Sequence, residues 1–262
     1  MAVVPGIDAL EPELGRLFFV VGVFDGLHLG HLYLLGRLRD EAARRDALPA
    51  VVTFDHHPDE ILTGAAPALL CDPDERLERL AAAGVAVTAV QHFDLALRMT
   101  AYDTFIGRIA RRTALGGFLM TPDSAFGHER RGTPQAVAAL GLELGYDVAV
   151  IPSLDLDGRP VRSAEIRSDI ASGDLAGAAR LLGRPYAVVG TLVPAGGDGV
   201  RLAFAMPVAL PPPGEYAVAI GDAGGPARDD GRAGTALVGP DGEVAVRGAG
   251  LPGSGRLRIT FA

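Results

Sequence analysis

Residues 17–31 read Leu17-Phe-Phe-Val-Val-Gly-Val-Phe-Asp-Gly-Leu-His-Leu-Gly-His31. The uninterrupted apolar run at the start is typical of a buried strand, and the glycines after it predict a turn into a helix. Backbone N–H groups and the helix dipole attract anions at such a helix start. His28 and His31 add side chains that are charged or neutral depending on small shifts near pH 7. The stretch therefore predicts a nucleotide-phosphate site of the kind used for adenylyl transfer.

The spacing of His28-Leu-Gly-His31 also favours the binding of phosphate groups. Gly30 carries no Cβ, so phosphate oxygens are able to approach the backbone closely. Two histidines three residues apart lie on one face of a helix, where both could hydrogen-bond phosphates and the negative charge that grows during transfer. Two other interpretations stay open at this stage, an ordinary polar helix start and a pair of metal ligands.

Composition narrows the class of protein. The chain has 262 residues, of which 48% are hydrophobic, which is enough for one large or two modest folded domains. A net charge of −8 argues against broad binding to nucleic acid or anionic membranes. No apolar run approaches the roughly 20 residues of a membrane span, and the start does not resemble a secretory signal. We expect a cytoplasmic protein whose partners are small molecules, and the sequence does not predict its oligomeric state.

Two absences from the sequence exclude particular chemistries. The chain contains no lysine, so it has neither a Walker A motif nor a Schiff-base nucleophile. Cys71 is the single cysteine, which excludes an internal disulfide and an all-cysteine metal site.

The order of apolar and helical patterns predicts an α/β fold with a parallel sheet, followed by a small all-β barrel or sandwich. Strands are predicted at 17–24, 50–54, 85–90, 117–120 and 147–151, and helices at 30–46, 74–83, 101–114, 134–144, 164–172 and 175–182. After Tyr186 the helical pattern disappears, and short alternating runs occur at 187–193, 215–220, 243–246 and 256–261. We therefore predict two domains, residues 1–185 and residues 186–262.

Several segments together resemble one protein family. Gly22–His31 resembles the first signature of the prokaryotic FAD synthetases, the adenylyltransferase half of bifunctional riboflavin kinase/FAD synthetase. Thr53–Pro58 resembles their T-F-D-P-H-P segment, and Asp123–Gly132 resembles D-F-R-F-G-x-x-R-x-G. Val161–Arg167 resembles I-S-S-T-x-I-R, and Leu181–Tyr186 resembles the linker into the kinase module. The resemblance implies a Rossmann-like HxGH nucleotidyltransferase domain that joins FMN and ATP into FAD and pyrophosphate.

The resemblance also implies a set of residues for the ATP side of the reaction. His28, His31, Ser163 and Arg167 are the expected catalytic residues, acting on ATP that carries Mg²⁺. The expected ATP-binding residues are Gly22, Phe24, Asp25, Gly30, Asp123, Gly127 and Arg162. Ser163 is in addition a predicted N-cap of the following helix, with Arg167 one turn further on. No protein side chain is predicted to bind a metal.

A second set of residues is expected to bind the acceptor, FMN. These are Phe54, Asp55, His57, Pro58 and Phe126. Residues 53–58 follow a predicted strand, at the carboxyl edge where open α/β sheets bind ligands. Phe54 and Pro58 offer a flat apolar surface, and Phe126 could stack on an aromatic ring. Without the resemblance, an ordinary strand end followed by a loop is the favoured interpretation of residues 53–58.

The chain departs from the family pattern at several positions. Arg162-Ser163-Ala164 stands where the family has Ser-Ser-Thr, and His56 stands where it has proline. Met206 and Val208 occupy the positions of the threonine and asparagine that hold Mg²⁺-ATP in the kinase module, and neither side chain is an oxygen ligand. We therefore expect a degenerate riboflavin kinase-like domain without kinase activity.

The same departures keep two other functions open. One is a nucleotidyltransferase of the same fold that acts on a different phosphorylated or carboxylated metabolite. The other is a non-catalytic paralogue that binds flavin or nucleotide.

Overall fold

The computed structural model describes residues 1–194, 200–223, 231–248, 251 and 255–262. Two compact units make up the chain, and both are discontinuous in sequence. The first unit comprises Met1–Phe24, His31–Pro67 and Arg79–Leu154, and the second comprises Asp25–Gly30, Ala68–Glu78 and Asp155–Ala262. These units follow spatial contacts, so the predicted domain boundary at residue 185 stays a prediction.

The first unit is built on a six-stranded parallel sheet. Its strands are β1 (Ala2–Val4), β2 (Arg16–Val21), β3 (Leu48–Phe54), β4 (Val87–Gln91), β5 (Ala114–Met120) and β6 (Asp147–Val150). The spatial order is β1-β4-β3-β2-β5-β6, with β2 near the centre. The five predicted strands are present, and the buried apolar runs of β2, β3, β4 and β5 form the middle of the sheet. The short β1 was not predicted, because three residues carry no recognisable period. The Rossmann-like fold class is thus confirmed.

Eight α-helices are present among the described residues. They are α1 (Leu29–Ala43), α2 (Pro58–Thr63), α3 (Pro73–Ala82), α4 (Leu95–Arg98), α5 (Tyr102–Ala110), α6 (Pro134–Leu144), α7 (Ser163–Ser172) and α8 (Leu175–Leu182). Side chains cap several of them as expected, for example Thr133 Oγ1, which accepts from the N–H of Ala136 at the start of α6. None of the helices in the described part of the chain is long and apolar enough to cross a membrane.

The predicted capping role of Ser163 is wrong. Arg162 is the N-cap residue of α7 and makes no side-chain capping bond, while Ser163 is the first helical residue. The Ser163 hydroxyl instead donates to the carbonyl oxygen of Asp25, 3.3 Å away. The hydroxyl thus bonds a residue 138 positions earlier in the chain instead of a nearby backbone N–H group. Capping preferences, which use only the sequence around a helix end, do not predict such a contact.

The second unit contains a hairpin and a closed barrel. The hairpin consists of β7 (Asp155–Leu156) and β8 (Arg159–Pro160). The barrel strands are β9 (Ala187–Pro194), β10 (Val200–Ala203), β11 (Gly214–Asp222), β12 (Arg232–Val238), β13 (Val244–Gly248) and β14 (Arg256–Phe261). They pair antiparallel in the order β10-β13-β12-β11-β14-β9. Alternate residues such as Val244 and Val246 are buried, as a barrel interior requires. The predicted all-β module is confirmed as a barrel.

Candidate active site

The chain leaves β2 through a turn with an unusual backbone. Phe24, Gly26 and Leu27 all have positive φ values, of 55°, 77° and 39°. Such values cost about 1–2 kcal/mol for a residue with a side chain, so surrounding packing must hold them in place. Phe24 and Leu27 are both buried, which supplies that packing. The turn delivers Asp25 and His28 to fixed positions ahead of α1.

Asp25 is the most tightly held polar group of this turn. Its carboxylate is 3% exposed and accepts the backbone N–H of Leu70 at 2.9 and 3.0 Å and that of Cys71 at 3.3 Å. Arg167 Nη2 donates to Asp25 Oδ2 at 2.5 Å. Burial raises the pKa of Asp25, and the Arg167 guanidinium and the two N–H groups act against that rise. Both oxygens of the carboxylate therefore accept hydrogen bonds from protein donors.

Arg167 and Ser163 both reach Asp25 from α7. Arg167 also donates from Nε to the carbonyl oxygen of Ala68 at 2.7 Å, so its guanidinium is held at two points. The two residues lie one turn apart on α7, as the sequence predicts for side chains that share a face. Three expected site residues, Asp25, Ser163 and Arg167, are thus brought together within the second unit.

His28 follows in the same unit and is 4% exposed. Burial, reinforced by the positive charges of Arg184 and Arg167, lowers the pKa of His28 to about 4. The imidazole is therefore neutral at pH 7. It acts there as a hydrogen-bonding group, with the positive charge supplied by the neighbouring arginines.

Gly30 is required by packing. A Cβ at this position would lie 2.6 Å from the carbonyl oxygen of Val161 and 3.1 Å from His28 Nδ1. Val161 immediately precedes Arg162, the exposed N-cap residue of α7. The glycine of the His-x-Gly-His segment thus allows the start of α1 to contact the backbone just ahead of α7.

The first unit contains a cleft of about 190 Å³. Its lining residues are Val20, Val21, Gly22, Phe24, His31, Leu34, Phe118, Leu119, Met120, Thr121, Ser124, Ala125 and Phe126. The rings of Phe24 and His31 lie 5.0 Å apart between centroids. The cleft is smaller than the roughly 300–1,000 Å³ of a pocket for a whole drug-sized ligand. It is therefore too small to enclose a whole nucleotide.

Residues 123–132 form a loop that is held by its own contacts. Asp123 Oδ1 accepts from the Thr121 hydroxyl at 2.8 Å, and the Asp123 carbonyl accepts from Arg130 Nη2 at 3.2 Å. Gly127 has a φ of 76°, and a Cβ there would lie 2.6 Å from the backbone nitrogen of Tyr102. These constraints carry Phe126 to the cleft, where its ring also packs against Phe118 at 5.9 Å.

The other expected acceptor residues lie at the end of β3 and in the segment that follows it. Phe54 packs edge-to-face on Phe93, with ring centroids 5.3 Å apart. Asp55 Oδ2 lies 2.6 Å from His92 Nδ1. His57 is the N-cap residue of α2, where its Nδ1 accepts from the N–H of Asp59, and Pro58 is the first residue of that helix. None of these four residues lines the cleft, whereas Phe126 does.

Sequence reasoning missed the groups that surround Asp25 and His28. Cys71 Sγ accepts the N–H of Gly26 at 3.3 Å, and burial raises the pKa of this thiol to about 12. Arg184 Nη2 donates to the Gly26 carbonyl at 2.7 Å. The Cys71 contact spans 45 positions and the Arg184 contact 158, and both use backbone atoms of Gly26, so no local motif signals them.

The class that this architecture defines is a Rossmann-like α/β protein with a strained turn into a helix after its second strand. A family model described as FAD synthetase matches residues 11–165. The chain is 31% identical over 216 residues to bifunctional riboflavin kinase/FMN adenylyltransferase of Escherichia coli strain K12, covering 81% of this chain and 68% of that protein. The chain therefore belongs to the FAD synthetase family.

Two further similarities are informative. The bifunctional riboflavin kinase/FMN adenylyltransferase of Pseudomonas fluorescens is 32% identical over 199 residues, or 74% of this chain, and the match spans 62% of that relative's length. A crystal structure titled as a macrolide-efflux protein from Streptococcus pneumoniae aligns with a TM-score of 0.79 at 19% identity. That alignment covers 99% of this chain and 88% of the other, and it supports the fold alone.

Proposed function

We propose that this protein is an ATP-dependent FMN adenylyltransferase, which converts FMN and ATP into FAD and pyrophosphate. Membership of the FAD synthetase family supports the proposal, as do relatives named for FMN adenylyltransferase activity. The observation that carries it is a buried, neutral His28 close to the charges of Arg167 and Arg184, directly ahead of a helix start. Such a place suits a phosphate group that must be bound without competing water.

The reaction needs little covalent help from the protein. A phosphate oxygen of FMN attacks the α-phosphorus of ATP, the new P–O bond forms, and the bond to the β-phosphate oxygen breaks as pyrophosphate leaves. Because the nucleophile is already an anion, no strong base is required. Catalysis then depends on positioning and on stabilising charge on the phosphates.

The donor residues have separate roles in this proposal. His28, His31 and Ser163 hydrogen-bond the phosphates, Arg167 supplies fixed positive charge, and Gly30 allows close approach at the helix start. Arg162, exposed at the start of α7, adds a second charge in place of a hydroxyl. Asp123 and Gly127 shape the ATP-binding segments. Gly22 and Phe24 line the cleft, and we assign them contacts with both the ATP and the ring that the cleft takes.

We assign Asp25 a role in positioning Arg167. Its carboxylate is buried against that guanidinium and against two backbone N–H groups. Mg²⁺ enters as part of the MgATP substrate, bound mainly by phosphate oxygens, which is its usual mode with nucleotides.

The acceptor, FMN, binds to an apolar surface in this proposal. We propose that the cleft lined by Phe126 takes the flavin ring, because its walls are mainly apolar and its volume of about 190 Å³ fits one ring system. Phe54, Asp55, His57 and Pro58 then contact the remainder of FMN from the end of β3 and the segment that follows it. The partners are small-molecule nucleotides, and the net charge of −8 favours no role for nucleic acid. Dependence on ATP favours a cytoplasmic location.

We further propose that the barrel has lost riboflavin kinase activity and serves as a support. Met206 and Val208 cannot supply oxygen ligands. The segment that holds them instead pairs with Leu69, whose N–H donates to the Pro207 carbonyl at 2.8 Å and whose carbonyl accepts from Ala209 at 2.9 Å. Leu70, the next residue, donates to Asp25. The former kinase segment thereby contributes to holding Asp25 in place.

The experiment that tests this function mixes the purified full chain with MgATP and FMN and measures FAD and pyrophosphate. We expect FAD formation, with kcat lowered about 10²- to 10³-fold in His28→Ala, the usual effect of removing one donor to a transition-state anion. His128→Ala is a matched control and should retain wild-type activity. Circular dichroism of each variant checks that it is folded.

Three results would overturn the proposal in different ways. Pyrophosphate release with another phosphorylated or carboxylated acceptor, and none with FMN, would assign a different substrate. Tight nucleotide binding without pyrophosphate release would identify a non-catalytic binder. FMN formation from riboflavin and MgATP would contradict the loss of kinase activity.

A further inference from the structure

Three side chains with metal-ligating atoms meet where β3 and β4 end. Asp55 and His56 follow β3, and His92 follows β4. One ligand atom from each residue lies within 4.8 Å of the others. The rings of His56 and His92 meet edge-to-face with centroids 5.9 Å apart. We infer that Asp55, His56 and His92 form a binding site for a borderline divalent transition cation such as Zn²⁺.

The spacing of the atoms suits such an ion after small side-chain movements. In a tetrahedral site with bonds of about 2.0–2.1 Å, neighbouring ligand atoms lie roughly 3.3 Å apart. Asp55 Oδ2 and His92 Nδ1 are 2.6 Å apart, so they need to separate by less than about 1 Å. His56 Nδ1 lies 3.4 Å from Glu60 Oε2, close to the tetrahedral edge. Of the three residues, Glu60 contacts His56 alone, so the fourth position of a tetrahedral site is left for water, which the exposed histidines admit.

Asp55 is oriented for this role by the backbone. Its Oδ1 accepts the N–H of His56 at 2.8 Å and the N–H of Phe93 at 3.1 Å. These bonds fix one carboxylate oxygen and turn the other toward His92. Metal sites commonly hold their ligands in this way, through hydrogen bonds from neighbouring groups.

The donor set selects the class of ion. Two imidazole nitrogens with one or two carboxylate oxygens match Zn²⁺ and its transition-metal neighbours, whereas Mg²⁺ and Ca²⁺ require mainly oxygen ligands. His56 and His92 are exposed, so an ion has a direct path from solvent. His56 is also the residue that stands where the family pattern has proline. The bound cation would clip the segment after β3 to the segment after β4.

The test measures binding of Zn²⁺ to the untagged full chain after treatment with EDTA and dialysis, without ATP or flavin. Isothermal titration should give one ion per chain, and Co²⁺ should give the visible absorption of a tetrahedral site. His56→Gln and His92→Gln should each weaken binding at least tenfold, since even loss of a residue that only orients a ligand costs about 10- to 100-fold. Zn²⁺ should raise the melting temperature of the wild type and much less that of either variant.

His128→Gln is the matched control, because His128 also lies beside a carboxylate, that of Glu129. It should bind Zn²⁺ like the wild type. The inference is wrong if the wild type binds no stoichiometric ion, if His128→Gln loses as much affinity as the other variants, or if either His56→Gln or His92→Gln binds normally. None of these results depends on adenylyl transfer, so this inference and the proposed function fail separately.

Discussion

The surroundings of Asp25 in the second unit differ from the cleft in the first unit in charge, in hydrogen bonding and in polarity. Asp25 is buried among charged and hydrogen-bonding partners, with Arg167 held at two points and His28 neutral nearby. The cleft is lined mainly by apolar side chains, including Phe24, Phe118 and Phe126. Phosphate chemistry needs charges that are fixed before the substrate arrives, whereas a planar ring needs only shape and apolar contact. The proposed division into a donor side and an acceptor side follows from this contrast.

The largest expected effect concerns the ion pair of Asp25 and Arg167. Arg167→Met leaves the 3%-exposed carboxylate without its cation, so we expect the free energy of unfolding to fall by about 3–5 kcal/mol. Urea denaturation measures this loss. The double variant Asp25→Asn/Arg167→Met removes both charges and should recover part of the stability. If the double variant is no more stable than Arg167→Met, the unpaired charge of Asp25 is not the cause of the lost stability.

The second prediction concerns pH and His28. The folded-state pKa of about 4 lies below the usual value near 6.5, so the unfolded chain carries more protons between these limits. Stability therefore rises with pH through this window and is lost as the pH falls. Compared with His28→Gln, the wild type should lose about 2 kcal/mol more between pH 7.5 and pH 5. Chemical denaturation at each pH measures it.

The control for the pH prediction is His128→Gln. It separates the effect of replacing a histidine as such from the effect of replacing His28. If His28→Gln follows the wild-type curve, the burial and positive neighbours of His28 do not govern its titration.

The smallest expected effect tests the apolar side of the comparison. Phe126→Ala removes a ring from the cleft, and we expect the KM for FMN to rise about tenfold, since an aromatic contact of this kind is worth about 1–2 kcal/mol. The KM for ATP should stay within about twofold, because this ring is not assigned to ATP. Steady-state kinetics with each substrate varied separately gives both values. A rise in the KM for ATP alone would reverse the assignment of the cleft.

The accuracy of sequence-based prediction differed between elements for physical reasons. Helices α6 and α8 have the predicted limits. A capping side chain precedes the first residue of each helix, and a glycine with positive φ follows the last. The barrel strand β14 is likewise found as predicted, since its alternation of polar and apolar residues is strong. Strand β12, with Gly234 in its interior, carries a weaker pattern and was missed.

The residues of the candidate site also differ in how well local sequence predicts them. The positions of His28, His31 and Arg167 near helix starts followed from local sequence, because helix periodicity acts over a few residues. The partners of Asp25 did not follow, since they include backbone N–H groups 45 and 46 positions away. The roles assigned to these residues in binding ATP and FMN stay predictions.

By itself the sequence determined the parallel α/β sheet, the following β module and the turn that carries His28, because periodicity, turn residues and capping are local properties. Only the tertiary structure decided that Asp25 faces Arg167, that Ser163 bonds a distant carbonyl, and that Gly30 must be small to clear Val161. It also decided that His28 is neutral. Burial and long-range hydrogen bonds set these properties, and both depend on which distant segments the folded chain brings into contact.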